Sequence, residues 1–95
     1  PALEAAHIKP FAHTEAHHIR NGLLLRSDVH RLFDVGYITV TPDYRVEASS
    51  RMREDFNDGE SYMRLHGSGI LVPANPEFQP DPAALRWHNE NCFRG

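Results

Sequence analysis

The stretch NGLLLRSDVHRLFD, residues 21–34, decides how this sequence folds. Its Asn-Gly pair and the apolar run that follows predict a turn and then a buried strand. Ser27 is expected to cap the next helix, and Gly36 to end it. The apolar stripe of this helix consists of Val29, Leu32 and Phe33. A strand is therefore predicted to lead directly into an amphipathic helix.

His30 and Asp34 are four residues apart in this helix, so they share one of its faces. An ordinary surface helix has no need for such a pair, whereas a divalent metal ion is often held by imidazole and carboxylate ligands. The pair lies to one side of the apolar stripe, close enough to the core to be held rigidly. The spacing therefore predicts a two-residue metal site.

Composition limits the class of protein. The 95 residues are enough for one small domain, and 40% hydrophobic with 24% charged residues is typical of a soluble globular chain. No apolar run approaches the roughly 20 residues of a membrane span, and no signal peptide is visible. The single cysteine, Cys92, excludes an internal disulfide and fits a cytoplasmic protein. Because the chain opens inside a strand-like segment without Met, we expect a domain excised from a longer protein.

The net charge and the number of histidines favour different classes of function. A formal net charge of −3 argues against a stand-alone nucleic-acid binder, because phosphate contacts need a basic surface. Histidine, however, is a common metal ligand and general base, and the chain has seven. Five of them lie in the first third: His7, His13, His17, His18 and His30.

The predicted fold class is α+β. ALEAAHIKP is typical of a strand that ends at Pro10, and YITVTPDYRVEAS of a β-hairpin. DGESYMRLHG predicts a short helix, and Asp81 with Pro82 predicts the start of a last helix. We expect a strand–strand–helix core over residues 1–36, a hairpin over 37–50 and a helical extension with two short helices over 51–95.

The segments AAHIKP, NGLLLRSDVH and HRLFD resemble the HNH endonuclease family, which has the ββα-metal fold. The similarity is strongest to bacterial HNH domains of restriction endonucleases. HRLFDVGYITVTPDYRVEAS and the ending RWHNEN are also typical of that branch, so the resemblance covers most of the chain.

The resemblance implies metal-dependent hydrolysis of DNA phosphodiester bonds, with products that carry a 5′-phosphate. His7 matches the general base, and Asn21 the residue that holds the motif's loop through two backbone groups. His30 matches a catalytic metal ligand, and Asp34 a further ligand of colicin-type nucleases. The cofactor would be one divalent ion: Mg²⁺, Mn²⁺, Ni²⁺ or Zn²⁺.

One position departs from the family. Many HNH enzymes have a metal-binding carboxylate or histidine just before the base, and this chain has Ala6. Glu4 points to the same side of the strand, but about 6.6 Å further back. Two protein ligands still suffice for Mg²⁺, which is commonly completed by phosphate oxygens and water.

Cationic residues around the motif are expected to contact the DNA backbone without reading its sequence. They are Lys9, His17, Arg20, Arg26 and Arg31. Sequence recognition would then belong to an N-terminal domain outside this chain. Because one HNH centre cuts one strand, double-strand cleavage would imply a homodimer or rebinding.

Two alternatives to a nuclease stay open. An HNH-like scaffold without the strand ligand could bind nucleic acid or protein without catalysis. Alternatively, the histidines could hold a metal that serves folding alone.

Overall fold

The computed structural model describes residues 3–9, 19–57 and 59–95 and has an α+β fold. Its elements, in chain order, are β1 (Leu3–His7), β2 (Gly22–Arg26), α1 (Ser27–Asp34), β3 (Ile38–Val40), β4 (Val46–Ala48), α2 (Met52–Asp55), α3 (Gly59–Met63) and α4 (Pro82–Asn91). Two 3-10 turns, Ile19–Asn21 and Pro76–Phe78, precede β2 and α4. No helix in the described part of the chain has both the length and the apolar character needed to cross a bilayer.

β1 and β2 form an antiparallel pair whose two faces differ. Glu4 pairs with Leu25, and Ala6 pairs with Leu23. Leu25, Ala6 and Leu23 are buried. Successive side chains of a strand point to opposite faces, so this face, with Glu4 at its rim, is the one that α1 covers. His7, opposite Gly22, belongs to the other, exposed face.

α1 ends at a tight crossing with the C-terminal segment. Gly36 has φ +89°, and a Cβ atom there would lie 2.1 Å from the Cys92 carbonyl oxygen. Its own carbonyl accepts the Arg94 N–H at 2.8 Å. Only glycine tolerates both the positive φ and the close approach.

A buried histidine joins α1, β3 and α4. The His88 ring stacks on Phe33 with 3.7 Å between centroids, and Nε2 donates to the Phe33 carbonyl at 3.0 Å. Nδ1 accepts the Thr39 hydroxyl at 2.6 Å, and that hydroxyl oxygen accepts Asn89 Nδ2 at 2.8 Å. Burial lowers the pKa of His88, against the opposing influence of the Phe33 carbonyl and the Asp34 carboxylate. His88 is therefore a structural residue of the core in its neutral form.

The structure confirms most of the predicted elements and corrects two details. The hairpin is present, and Asp81 caps α4 by accepting the Ala83 N–H at 3.0 Å. Ser27 is not the cap of α1 but its first residue, and the preceding Arg26 makes no side-chain cap hydrogen bond. The C-terminal part contains α2 in addition to the two predicted helices.

Gly36→Ala should destabilise the fold more than Gly67→Ala. Both glycines have positive φ, +89° and +86°, but no atom lies within 4 Å of a Cβ at Gly67. The Gly67 variant should therefore lose about 1 kcal/mol of unfolding free energy, the cost of the backbone conformation alone. The Gly36 variant should lose at least about 2 kcal/mol more, because backbone must move. Urea unfolding measures the free energy of unfolding of both variants. Equal losses would contradict the close approach of the Cys92 carbonyl to Gly36.

Candidate functional site

His30 lies between two carboxylates contributed by different elements. Its Nδ1 is 2.9 Å from Glu4 Oε1 on β1, and its Nε2 is 3.2 Å from Asp34 Oδ2 one turn on in α1. The imidazole is 22% exposed, whereas the two carboxylates are 48% and 55% exposed. The ring is therefore held near the core while its partners face solvent.

The chemistry of these contacts favours a cation beside Nε2. In neutral imidazole one nitrogen donates and the other accepts. With Nδ1–H donating to Glu4, the lone pair of Nε2 faces the acceptor oxygen of Asp34, and two acceptors repel each other. A proton or a metal ion between Nε2 and Asp34 turns this approach into an attraction. The carboxylate–histidine arrangement is the one that typically orients a metal-binding imidazole.

The donor set fits an ion with few protein ligands. Glu4 and Asp34 contact opposite nitrogens of one ring, so they cannot converge with His30 on the same ion. Consistent with this, residues 3–9, 19–57 and 59–95 include no group of three or more His, Cys, Asp or Glu that could hold a metal. The pair His30–Asp34, oriented by Glu4, suits an ion whose remaining positions are filled by water and phosphate.

Asn21 holds the segment after β1 through its side-chain amide. Its Oδ1 accepts the Lys9 N–H at 3.0 Å, and its Nδ2 donates to the Lys9 carbonyl at 3.3 Å. The Asn21 carbonyl also accepts the Ile8 N–H at 2.9 Å. One buried residue thus extends the pairing of β1 and β2 beyond His7 and fixes the chain on which His7 lies.

His7 lies apart from the His30 cluster along β1. It is three positions along the strand from Glu4, about 10 Å of extended chain. It borders a cavity of about 550 Å³ on the outer face of the β1–β2 pair. Most of the lining is apolar and includes Ile19, Leu24, Leu71 and Phe78.

The predicted phosphate-binding cations have different surroundings. Arg26 makes two 3.1 Å hydrogen bonds to Asp28, which offset its charge. Although partial burial acts to raise it, hydrogen bonds from Arg26, Tyr62 and the Val29 N–H hold the pKa of Asp28 below its ordinary value. Asp28 is therefore anionic at neutral pH and offsets part of the charge of Arg26.

The other predicted phosphate-binding cations have neighbours different from those of Arg26. Arg31 is exposed on α1 beside Asp28 and Tyr62. Arg20 Nε donates to the Gln79 carbonyl at 3.1 Å, while the Lys9 ammonium lies 5.8 Å from the ring centroid of a tryptophan on α4. His17 lies outside the described residues.

Two features of the site escaped the sequence analysis. Glu4 was recognised as lying on the correct side of β1, but its contact with His30 depends on packing across 26 residues of chain. Trp87 on α4 is half-buried and faces Lys9, a contact between distant parts of the chain. The register of β1 could have indicated the contact of Glu4 with His30, whereas no local pattern indicates the contact of Trp87 with Lys9.

A family model described as HNH endonuclease matches residues 1–41, which include β1, β2, α1 and all of the residues around His30. A search of curated proteins found no significant match to the chain. The strand–strand–helix segment that carries Asn21 and the His30 cluster is therefore similar to the HNH endonuclease family over residues 1–41.

Proposed function

We propose that the chain is a metal-dependent HNH endonuclease domain that hydrolyses DNA phosphodiester bonds, as the catalytic module of a restriction or defence enzyme. The observation that carries the proposal is His30 between Glu4 and Asp34, inside the segment that matches the endonuclease family. We propose in addition a cytoplasmic location and a separate recognition domain, in line with the single cysteine and the acidic chain.

His30 Nε2 and Asp34 would hold the divalent ion, and Glu4 would keep the imidazole in the tautomer that leaves Nε2 unprotonated. Mg²⁺, Mn²⁺, Ni²⁺ and Zn²⁺ are all compatible with one imidazole and one carboxylate. When bound, the ion would neutralise negative charge that develops on the phosphate.

His7 is proposed to take the proton of the attacking water. As the new water-derived O–P bond forms, the P–O3′ bond breaks, so the 5′-phosphate stays with one product and the 3′ oxygen leaves with the other. The leaving oxygen takes a proton from solvent. His7 is exposed at the end of β1, and Asn21 fixes the backbone just beyond it. Because His7 and the His30 cluster lie on different faces of the β1–β2 pair, this role requires a phosphate that reaches both around the edge of the pair.

One observation favours a second candidate function. Ala6, at the position where many family members have a strand ligand, is 1% exposed and cannot coordinate an ion. A scaffold that has lost this ligand could bind nucleic acid or a partner protein without cutting.

Cleavage of plasmid DNA separates these functions. With Mg²⁺, Mn²⁺, Ni²⁺ or Zn²⁺, the wild-type chain should nick supercoiled plasmid. His7→Ala should reduce the rate about 10²- to 10⁴-fold, the usual contribution of a general base. His66→Ala is the matched control: His66 is exposed, accepts the Ala48 N–H and lies outside the family-matching segment, so its loss should leave cleavage unchanged. Equal nicking by the wild type and His7→Ala would rule out this mechanism.

Metal binding tests the roles of the two carboxylates. Asp34→Asn should nearly abolish Mn²⁺ binding measured by calorimetry, because a direct ligand is lost. Glu4→Gln should weaken it about 10-fold, the typical effect of removing a partner that orients a metal-binding histidine. Glu90→Gln, an exposed substitution on α4, provides the control.

Unchanged Mn²⁺ affinity in the Glu4 and Asp34 variants would contradict the assignment. If chelation instead lowered the melting temperature of the wild type strongly, the metal would serve folding, since an ion held by two ligands stabilises little without substrate.

A further inference from the structure

The contact between Lys9 and Trp87 leaves the charge of Lys9 available. The ammonium lies 5.8 Å from the centroid of the Trp87 ring, within the range of a cation–π interaction. No ion pair of Lys9 occurs within the described residues. An aromatic ring holds a cation in place without cancelling its charge, in contrast to Asp28, whose carboxylate offsets the charge of Arg26.

Lys9 lies close to His7 along the chain. Burial alternates along this segment: His7 is exposed, Ile8 is 2% exposed, and Lys9 is half-buried. β1 ends at His7 and the chain bends at Ile8 and Lys9, but the Ile8 N–H still pairs with the Asn21 carbonyl. Lys9 is therefore two residues beyond His7, on the segment that Asn21 holds.

Lys9 is held at its backbone as well as at its ammonium group. Asn21 engages both its N–H and its carbonyl, which fixes the Cα atom, and the Trp87 ring restricts the far end of the side chain. A lysine restrained at both ends loses less conformational freedom when it binds an anion.

We propose that Trp87 is a positioning residue that holds the Lys9 ammonium beside His7 to receive a phosphate of the DNA. This inference rests on the proposed function. Since Trp87 is on α4, outside residues 1–41, the C-terminal extension contributes to phosphate binding at the motif instead of serving only to complete the core.

DNA binding without cleavage tests this inference. The affinity of the full chain for a short fluorescent duplex is measured by anisotropy in EDTA at a series of NaCl concentrations. Lys9→Gln should weaken binding and reduce the slope of log K against log[salt] by about 0.9, the value for one lost phosphate contact. Arg64→Gln removes the same charge from an exposed site beyond α3 and should change the slope much less.

Trp87 is tested by coupling to Lys9. Trp87→Leu should weaken binding about 3-fold, as expected for one cation–π contact, with the slope retained. Trp87→Phe keeps an aromatic face and should restore most of the affinity. In a Lys9→Gln background, Trp87→Leu should cause no further loss, whereas a merely structural role would give the same loss in both backgrounds. Thermal unfolding of each variant confirms that it is folded.

The outcomes separate the two proposals. If the wild type binds duplex but Lys9→Gln behaves like Arg64→Gln, or if the Trp87→Leu loss is independent of Lys9, the positioning role is wrong and the nuclease proposal is unaffected. If the wild type binds no DNA under any condition, the proposed function fails and the role of Trp87 fails with it.

Discussion

The hydrogen bond between Glu4 and His30 is the interaction on which the proposed centre depends. It joins β1 to α1, and it orients the imidazole so that Nε2 faces Asp34. Its existence depends on the register of the β1–β2 pair. Because side chains alternate along a strand, a slip by one residue would turn Glu4 to the outer face and expose Ala6. The Asn21 side chain, bonded to both backbone groups of Lys9, opposes such a slip at the other end of the pair.

β3, α4 and the C-terminal segment hold α1 on the side away from the His30 cluster. His88 and Thr39 form a buried hydrogen-bond network at the Phe33 carbonyl, immediately before Asp34. Gly36 lets the C-terminal segment cross the end of the same helix. The proposed metal-binding face of α1 is thus exposed, while its opposite face is fixed by β3 and α4. A small domain can keep a two-ligand site in place in this way, since the helix that carries the ligands has little freedom to move.

Local patterns in the sequence predicted much of this architecture. The spacing of Val29, Leu32 and Phe33 located α1, and the Asp81–Pro82 pair located the start of α4. Serine is common at helix N-caps, which predicts Ser27 as the cap, but α1 follows β2 without a connecting residue, so Ser27 is already helical. α2 has four residues and one buried side chain, Met52, which is too little for a periodic signal.

The site was only partly predictable, for a physical reason. His30 and Asp34 are neighbours on one helix, so their spacing alone brings them together. Glu4 with His30, and Lys9 with Trp87, meet only through the packing of different elements, which no local pattern encodes. The ion pair of Arg26, by contrast, is with Asp28, only two positions away, so the sequence alone could have predicted it.

The most direct test of the account is to locate a paramagnetic ion relative to the histidines. In NMR spectra of the imidazole groups, substoichiometric Mn²⁺ should broaden the signals of His30 and His7 well before that of His66. This result would place the general base and the metal ligand around one ion. If the His30 signal is lost while the His7 signal broadens no more than the His66 signal, a shared catalytic centre is contradicted.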